Sequence, residues 1–511
     1  MRDLIEPNRA GAGKSDLVIV YHRQPYEETV ENGVVVRREN KSPNGIVPTL
    51  KSFFGRVDQG SWIAWKEAED PTRPDFERVI EISDAFGDYR VSRLPLSPEQ
   101  VRSFYHVTSK EALWPVLHTF RERYNYDPVD WPTFREVNHA FAEAAAAEVS
   151  DTGTVWVHDY NLWLVPEYLR RLKPDVKIGF YHHTPFPGPD LFNMLPWRSE
   201  IVGSLLACDV VGFHIPRYAQ NFASVCESLF DIEGVDRAPT EPDMSPSGSA
   251  LSELKTPHTI RFEGRKIALA VCPVGLDIPF IESKSNAPET AELEERIAEE
   301  LGGKRLLLSV SRTDYTKGGV ELLQAYERLL ERRKELHGGV RLMLVSVAAN
   351  RGMSVYEQVQ SETEGLAGRI NARFATFDWQ PVHLMSSPVP FDQLVAFYRQ
   401  ADVCWITPLT DGLNLVAKEF VTARTDGAGA LVLSEFAGAA VELPQAVLCN
   451  PFSARSMDHA IDQALDMEIE DRKGRMSAMR ETVRRHDIVR WADSLQQSIA
   501  PFERAANKTE S

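Results

Sequence analysis

Short apolar segments that end in polar side chains recur along the sequence and alternate with longer segments of helical spacing. Strand-like runs include LVIVYH (17–22), IGFYH (178–182) and LLLSV (306–310), whereas VELLQAYERLLERRKEL (320–336) has apolar residues at helical intervals. This alternation predicts an α/β fold in which helices cover both faces of parallel sheets. Ligands bind beyond the carboxyl ends of the strands in such sheets. The polar clusters therefore predict the functional site, and two facing sheets would place it in a cleft.

The length of the chain and its changes in composition indicate two domains. A chain of 511 residues exceeds what one hydrophobic core usually serves. Residues 234–259 are rich in Pro, Ser and acidic side chains, which predicts a surface excursion or an irregular hairpin. CPVGLD (272–277) closes the first half, and a linker followed by an amphipathic helix comes next. We therefore place the domain boundary near this segment.

Composition argues against several classes of partner. The net charge of −17 disfavours nucleic acid, because a polyanion needs a basic surface, but it allows small anions bound by a few Arg or Lys side chains. No run approaches the roughly 20 apolar residues of a membrane helix, and no secretory signal is recognised. The five cysteines are far apart, so neither disulfides nor a zinc motif are expected. We expect a cytoplasmic protein with no membrane partner.

The segment YHHTPFPGPDLFN (181–193) places two histidines directly before a Pro-Phe-Pro turn. Adjacent side chains of a strand point to opposite faces, so His182 and His183 cannot easily share a metal ion. No H-x-x-x-H or H-x-H pattern accompanies them. We therefore expect no metal site here. One imidazole should face the site, while the other packs beneath the turn.

Two cations follow a predicted strand in SRTDYTKGG (311–319), and the Gly-Gly pair opens a helix. Arg312 and Lys317 can meet a diphosphate there, with the N–H groups of the helix start as further donors. Surface cations near a helix start are also common without any ligand. Taken alone, this segment therefore leaves both a binding role and a plain surface role open.

The segment TDGLNLVAKEFVTAR (410–424) combines a carboxylate, a glycine and a helix. Asp411 lies at the end of a strand and can accept hydrogen bonds from a sugar, and backbone N–H groups after it can face an anion. Glu419 lies outside the predicted apolar stripe of the helix, so a ribose ligand and a solvated helix face both remain open. The predicted stripe consists of Leu413, Val416, Ala417, Phe420 and Val421.

Asp159 follows His158 at the predicted carboxyl end of the strand in VWVHDYN (155–161). A carboxylate exposed at that edge can accept hydrogen bonds from the hydroxyl groups of a substrate. A carboxylate at the start of the next helix can also be a purely structural N-cap. The residues themselves do not decide between these two roles, and both remain open.

Taken together, these segments resemble the trehalose-phosphate synthase family of retaining glycosyltransferases, from Arg23 to about Trp491. The resemblance implies the GT-B architecture, with two Rossmann-like domains facing a central cleft. It implies an N-terminal acceptor domain (1–275), a C-terminal nucleotide-sugar domain (276–485) and a C-terminal helix (486–511) that returns to the first domain. The motifs that carry it are VWVHDYNLWLVPEYLR, HTPFP, GF (212–213), SRTDYTKG, GRINARF (368–374), DGLNLVAKEF and LSEFAGAA (433–440).

Several positions depart from the usual pattern of that family. The chain has HDYN in place of HDYH, HHTPFP in place of LHIPFP, and SRTDY in place of ERLDY. These variants resemble a subgroup that transfers glucose from ADP-glucose to sn-glycerol 3-phosphate, which makes a compatible solute used in osmotic stress. We therefore expect this retaining transfer, with glucose 6-phosphate as the alternative acceptor. ADP is implied by the resemblance alone, since no residue distinguishes adenine from uracil.

The resemblance also implies roles for individual residues. His183, and not His182, matches the family histidine near the glucose. The implied catalytic residues are His183, Arg312, Lys317 and Asp411. The implied donor-binding residues are Gly45, Arg312, Lys317, Asp411, Gly412, Leu413, Asn414, Leu415 and Glu419. The implied acceptor-binding residues are Arg23, Tyr105, Trp114, Asp159 and Arg351.

No side chain stands out as a covalent nucleophile, unlike the paired carboxylates of a retaining glycosidase. The resemblance implies that the donor phosphate takes the acceptor proton while Arg312 and Lys317 stabilise the leaving diphosphate. The chemistry then needs neither a cofactor nor a metal. We recognise no phosphatase domain, so a separate phosphatase is expected downstream. The oligomeric state stays open, a homo-oligomer included, and a catalytically inactive binding protein is the remaining alternative.

Overall fold

The chain forms two compact units in the computed structural model. The first unit contains the described residues up to Thr240, Glu253–Val274 and the chain from Val489 on. The second contains Glu241–Ser252 and Gly275–Ile488. The short segment Glu241–Ser252 therefore belongs to the second unit, although it lies within the range 1–275 predicted for the N-terminal domain. The structure describes residues 6–7, 14–31, 34–38, 46–348 and 354–500.

The first unit is built on a mixed β-sheet. Its strands are β1 (Glu6–Pro7), β2 (Ser15–Val20), β3 (Glu27–Glu31), β4 (Val34–Arg38), β5 (Gly60–Glu67), β6 (Val79–Asp84), β7 (Gly87–Leu96), β8 (Val149–His158), β9 (Lys177–His182), β10 (Val210–Phe213), β11 (Gly234–Pro239), β12 (Lys255–Phe262) and β13 (Arg265–Val271). The sheet order is β1-β6-β7-β5-β2-β8-β9-β10-β13-β12-β11, while β3 and β4 form a separate antiparallel ribbon. Neighbours from β7 to β13 in this order are parallel. The parallel part gives one edge at which β2, β8 and β9 all end.

Helices of the first unit follow strands as the alternation predicts. They are α1 (Ile46–Lys51), α2 (Pro98–Val101), α3 (Trp114–Leu117), α4 (Trp131–Glu148), α5 (Val165–Leu172), α6 (Pro189–Phe192), α7 (Arg198–Leu206) and α8 (Pro216–Leu229). A π-helix, Arg102–Leu113, joins α2 to α3. The Asp130 side chain caps α4 by accepting a hydrogen bond from the Thr133 N–H, so the chain before the helix is polar and exposed.

The second unit has a parallel sheet of Rossmann order. Its strands are β14 (Arg305–Thr313), β15 (Val340–Ala348), β16 (Val382–Met385), β17 (Val403–Ile406), β18 (Ala430–Ser434) and β19 (Val447–Cys449). Their order is β16-β15-β14-β17-β18-β19, which corresponds to the 3-2-1-4-5-6 order of dinucleotide-binding folds. The order reverses between β14 and β17, and ligands bind at such a switch point.

Helices cover both faces of the second sheet. They are α9 (Ile278–Ser285), α10 (Pro288–Leu301), α11 (Gly319–Arg332), α12 (Ser354–Phe374), α13 (Phe391–Gln400), α14 (Leu415–Ala423), α15 (Ala439–Glu442), α16 (Ala454–Asp466) and α17 (Ile469–Arg485). The helix predicted over 320–336 is α11, followed by the short 3₁₀ turn Lys334–Leu336. Its apolar stripe is buried, with Leu322, Tyr326 and Leu329 in the core.

The last helix, α18 (Ile488–Ile499), carries the chain into the first unit. Its Trp491 is fully buried there, and the indole lies 5.3 Å from the rings of both Tyr181 and Phe53. The five cysteines are buried and form no disulfide. Within the described ranges, no helix is both long enough and apolar enough to cross a membrane.

Candidate active site

Lys317 and Asp411 form an ion pair at the switch point of the second sheet. The Lys317 Nζ lies 2.7 Å from Asp411 Oδ2, and both side chains are mostly buried. Lys317 follows β14, and Asp411 follows β17, so the two strands that flank the switch point each supply one charge. The structure therefore brings together two residues that lie 94 positions apart in the sequence. A cation and a carboxylate, both predicted to bind the donor, are paired where the fold class binds its ligand.

Close backbone contacts hold the two loops of this pair. The Thr407 hydroxyl donates to the Gly318 carbonyl at 3.1 Å, and the Leu409 N–H donates to the Thr316 carbonyl at 2.7 Å. Gly318 has φ +67°, and a Cβ there would lie 1.9 Å from the Thr407 carbonyl oxygen. Only glycine fits this approach, since another residue would suffer both a clash and a left-handed backbone. The position of Lys317 is thus set by the loop after β17.

The segment from Asp411 to Leu415 is built around one unusual residue. Asn414 has φ +88°, its side-chain oxygen accepts from the Ala417 N–H at 3.0 Å, and its amide donates to Asp411 Oδ2 at 3.1 Å. Asn414 is therefore the N-cap of α14 and also orients the carboxylate of Asp411. Gly412 and Leu413 are buried, and Leu415 begins the helix.

Glu419 is buried, which corrects the expectation that it lies outside the buried part of the helix. Its side chain is 7% exposed and accepts a hydrogen bond from the Tyr398 hydroxyl at 2.8 Å. The alternative of a solvated helix face is therefore wrong. The preceding Lys418 is fully buried and pairs with Glu442 at 3.0 Å. Helix α14 is enclosed nearly all round, so a one-sided apolar stripe does not describe it.

Arg312 lies near the carboxyl end of β14 and is half-buried. It aligns with Val347 of the neighbouring strand β15. Among the residues that the structure describes, no carboxylate forms an ion pair with it. The guanidinium is thus a cation at the same strand edge as Lys317 whose charge is not neutralised by a described neighbour.

In the first unit, three of the predicted acceptor residues come together: Arg23, Tyr105 and Asp159. The Arg23 guanidinium hydrogen-bonds to Tyr105 and lies close enough to Asp159 to feel its charge. Asp159 follows β8, its carboxylate accepts from the Tyr160 N–H at 3.0 Å, and its own N–H donates to the Tyr181 carbonyl at 2.9 Å. Burial raises the pKa of Asp159 to about 6. Asp159 therefore caps a 3₁₀ turn and also contributes a carboxylate to this cluster.

Trp114 joins the same region from the end of the π-helix. Its indole is 5% exposed, with the His118 ring 3.8 Å and the Tyr160 ring 6.0 Å away between centroids. Lys110, which the sequence interpretation missed, places its Nζ 4.0 Å from the centre of the Trp114 ring. The spacing of four residues to Trp114 could have indicated Lys110, whereas its position beside Tyr105 depends on π-helical winding.

The two histidines that precede the Pro-Phe-Pro turn are separated as predicted. His182 ends β9 and is 1% exposed; its Nδ1 lies 3.0 Å from the Thr184 carbonyl oxygen, and its ring packs on Phe186 of the turn. His183 turns the other way, with Nε2 3.1 Å from Nδ1 of His158. Burial lowers the pKa of His182 and of His158 to about 3, and burial with neighbouring imidazoles lowers that of His183 well below its usual value. All three rings are neutral at pH 7.

Gly45 and Arg351, two of the predicted site residues, lie outside the described residues. The described part of the chain contains no group of three or more His, Cys, Asp or Glu side chains that could hold a metal ion. The other predicted residues fall into two sets. The residues predicted to bind the donor (the donor set) lie at the switch point of the second unit, and those predicted to bind the acceptor (the acceptor set), with His183, lie at the strand ends of the first unit.

The family model of glycosyltransferase family 20 matches residues 15–501. The chain belongs to glycosyltransferase family 20. A glucosylglycerol-phosphate synthase of Synechocystis sp. is 50% identical over 481 residues, which cover 94% of this chain and 96% of the relative. A trehalose-6-phosphate synthase of Mycobacterium sp. is 36% identical over 500 residues, which cover 97% of this chain and 99% of the relative. As a family 20 member, the protein is a glycosyltransferase.

A solved structure extends the similarity to the fold. An α,α-trehalose-phosphate synthase (UDP-forming) from Burkholderia xenovorans, in complex with glucose-6-phosphate, matches with a TM-score of 0.81 and 28% identity. The match covers 95% of this chain and 100% of that structure. The predicted fold class, α/β with the GT-B architecture of two Rossmann-like domains, is thereby confirmed for this family 20 protein.

Proposed function

We propose that the protein transfers glucose from ADP-glucose to sn-glycerol 3-phosphate with retention, giving 2-O-(α-D-glucopyranosyl)glycerol 3-phosphate. The observation that carries the proposal is the 50% identity to a glucosylglycerol-phosphate synthase, against 36% to a trehalose-6-phosphate synthase of similar length. The reaction takes place in the cytoplasm and serves compatible-solute synthesis in osmotic stress. A separate phosphatase then removes the phosphate of the product.

In this proposal, the donor binds at the switch point of the second unit. Arg312 and Lys317 neutralise the diphosphate, and Asp411 accepts hydrogen bonds from the glucose hydroxyls. Glu419, held by Tyr398, accepts from the ribose. The backbone N–H groups from Gly412 to Leu415 assist at the start of α14, where the helix dipole favours an anion. The resemblance adds Gly45 to the residues that bind the donor.

The acceptor binds in the first unit. Arg23 and Arg351 attract its phosphate, and Tyr105 and Trp114 shape the pocket around the short carbon chain. Asp159 accepts a hydrogen bond from a hydroxyl of the acceptor. Burial of the Asp159 cluster supports this role, because a carboxylate is a stronger hydrogen-bond acceptor where little water competes for it.

The transfer uses the same face of the sugar for bond breaking and bond formation. The bond between the anomeric carbon and the β-phosphate oxygen breaks, the acceptor oxygen bonds to that carbon, and the acceptor proton passes to the leaving phosphate. The protein contributes positioning and electrostatics. Because the imidazole of His183 is neutral, it serves the glucose as a hydrogen-bond partner and not as a cation.

A matrix of donors and acceptors tests the proposal directly. The protein is incubated with ADP-glucose, UDP-glucose or GDP-glucose and with glycerol 3-phosphate, glucose 6-phosphate or unphosphorylated glycerol. We expect the highest kcat/KM for ADP-glucose with glycerol 3-phosphate, and an α-glucoside by NMR. Absence of any phosphorylated glucoside would contradict the proposal and favour an inactive binding protein.

The second candidate acceptor is glucose 6-phosphate. It is supported by the TM-score of 0.81 to a trehalose-phosphate synthase that binds this sugar phosphate. The same matrix separates the two acceptors. A higher kcat/KM with glucose 6-phosphate than with glycerol 3-phosphate would reverse our choice of acceptor while leaving the glucosyl transfer intact.

A further inference from the structure

Lys110 is a buried cation in the acceptor cluster. Its side chain is among the buried charged groups at 7% exposure, and its Nζ lies 4.0 Å from the centre of the Trp114 ring and 5.7 Å from that of Tyr105. A lysine side chain is rarely buried, because the loss of hydration of its ammonium is costly unless other groups compensate for it. The two aromatic rings compensate part of the lost hydration through cation–π attraction.

The π-helix is what places Lys110 on the same face as Tyr105. Its winding is visible in the Trp114 N–H, which donates to the carbonyl of Ser109, five residues earlier. Residues five apart lie about 140° apart around an α-helix, but much closer around a π-helix, whose hydrogen bonds join residues five apart. The winding therefore brings Lys110 beside Tyr105, and Trp114, four residues after Lys110, lies on the same face at ordinary helical spacing. π-Helical segments occur frequently at functional sites.

Trp114 depends on this arrangement for its position. Its indole N–H has no hydrogen-bond acceptor among the described residues, so ring contacts hold the side chain. Those contacts are the Lys110 ammonium on the ring and the close rings of His118 and Tyr160. Removing the ammonium would loosen the indole without removing any apolar neighbour.

The positive charge of Lys110 acts on the Asp159 carboxylate. Burial raises the pKa of this carboxyl, and the charges of Lys110 and Arg23 oppose that rise. These two cations come from the π-helix and from the segment after β2, and the N–H groups of Tyr160 and His183 donate to the carboxylate. Asp159 also has φ +75°, a strained backbone for a residue other than glycine.

We propose that Lys110 is a positioning residue for the acceptor: its ammonium holds the Trp114 indole against the substrate from the side of Tyr105, and its charge acts on the Asp159 carboxylate that meets a hydroxyl group of the same substrate. The inference rests on the proposed function, since it specifies how the acceptor pocket recognises a polyol phosphate. In this proposal, the Lys110 ammonium does not touch the acceptor itself. It influences acceptor binding through Asp159 and Trp114, which do.

The test compares Lys110→Met with Lys110→Arg. The methionine keeps the length of the side chain but removes the charge, so we expect the KM for glycerol 3-phosphate to rise about tenfold, with the KM for ADP-glucose unchanged. The acid limb of the kcat/KM profile should move to higher pH by on the order of one unit, because Asp159 loses a cation that favours its ionised form. In Lys110→Arg, both the KM for glycerol 3-phosphate and the acid limb should lie close to their wild-type values.

Lys51→Met is the matched control. Lys51 is also a buried lysine of the first unit, paired with Asp84 at 2.6 Å, and it lies over the Phe86 ring at 4.7 Å. Its loss should lower the melting temperature without moving the acid limb or the acceptor KM. If Lys51→Met produces the same kinetic changes, or if Lys110→Met leaves the acid limb and the acceptor KM in place, the proposal is overturned.

A readout without turnover separates this inference from the proposed function. In protein labelled with [4-¹³C]aspartate, the resonance of Asp159 is identified by its loss in Asp159→Asn. Its titration midpoint should rise in Lys110→Met and return in Lys110→Arg. An inactive wild type with this shift would overturn the proposed reaction alone, whereas an active wild type without the shift would overturn the role of Lys110 alone.

Discussion

Several buried or mostly buried charged side chains in this protein are held by a partner from a different element. Lys317 meets Asp411, Lys418 meets Glu442, and Glu419 accepts from Tyr398. A buried charge without its partner costs several kcal/mol, so removal of one member does more harm than the pair contributes. At the residue scale, residues that are predicted to bind the donor therefore also contribute to the stability of the fold.

Lys317→Ala should abolish most turnover while leaving a folded protein. The ammonium no longer stabilises the leaving diphosphate, so we expect kcat/KM to fall by at least about 100-fold. The mostly buried Asp411 also loses its cation, which should lower the free energy of unfolding by roughly 1–3 kcal/mol. Initial rates and urea unfolding measure the two effects.

Lys473→Ala provides the comparison for Lys317→Ala, because Lys473 is half-exposed on α17 and its partner among the described residues is the nearby Glu470. This variant should behave like the wild type in both measurements. Near-normal turnover of Lys317→Ala would remove Lys317 from the donor site. A similar fall in Lys473→Ala would show that the assay responds to surface charge in general.

At the scale of elements, the loops that carry the donor set are in close backbone contact with each other and with α15. The loop after β14 contacts the loop after β17 through Gly318 and Thr407, and the loop from Asp411 contacts α15 through Gly412 and Gly438. A Cβ on Gly438 would lie 2.1 Å from the Gly412 carbonyl oxygen. These close approaches set the distance between the strand ends and thus the geometry of the donor set.

Gly318→Ala should destabilise the second unit by at least about 2 kcal/mol, because the new methyl group clashes with the Thr407 carbonyl in a left-handed backbone. Turnover should fall as well, since Lys317 moves with its neighbour. Gly338→Ala is the matched control: Gly338 has φ +73°, but nothing lies within 4 Å of the position that its new methyl group would take. It should cost only the backbone strain, about 1 kcal/mol.

Urea unfolding at pH 7.5, with ligand-free protein, compares these two glycine variants. Equal losses of stability in Gly318→Ala and Gly338→Ala would mean that the clash with Thr407 is relieved by a small shift of the loop. In that case the close approach would not determine the position of Lys317, and the turnover of Gly318→Ala should stay close to that of the wild type.

At the scale of the whole molecule, two of the segments in which the chain passes from one unit to the other are hydrogen-bonded to each other. The crossings lie after Val274 and before Val489. The Ile488 N–H donates to the Leu276 carbonyl at 3.1 Å, and a Cβ on Gly275 would lie 2.0 Å from the carbonyl carbon of Asp487. The segments that enter and leave the second unit are therefore in backbone contact within that unit.

Hydrogen exchange should report the two ligand sets separately. ADP-glucose alone should slow amide exchange in residues 311–319 and 411–419, and glycerol 3-phosphate alone should slow it in residues 105–114 and around Asp159. Ligand that binds only the folded state suppresses local opening in proportion to its occupancy. Protection of the first set by glycerol 3-phosphate alone would contradict the assignment. In Lys317→Ala, the protection by ADP-glucose should be lost.

The larger part of the fold follows from local patterns. The alternation of strand-like and helix-like segments predicts the parallel sheets, because each pattern depends on side chains within one element. The strand ends predict where Lys317, Asp411, Asp159 and His183 lie, since parallel strands of one sheet end at one edge. The alternation predicted for this strand also separates His182 from His183; β9 ends at His182, and the two rings contact different neighbours, Phe186 and His158 respectively.

The sequence by itself determined the α/β class, the family and the edge at which the reactive side chains gather, because these depend on periodicity and on short motifs. Only the tertiary structure decided that Glu419 is buried and held by Tyr398, that Lys317 pairs with Asp411, and that Lys110 lies beside Tyr105. The physical reason is that burial and charge pairing depend on neighbours distant in the chain, and that π-helical winding turns a residue to a face which α-helical spacing would not predict.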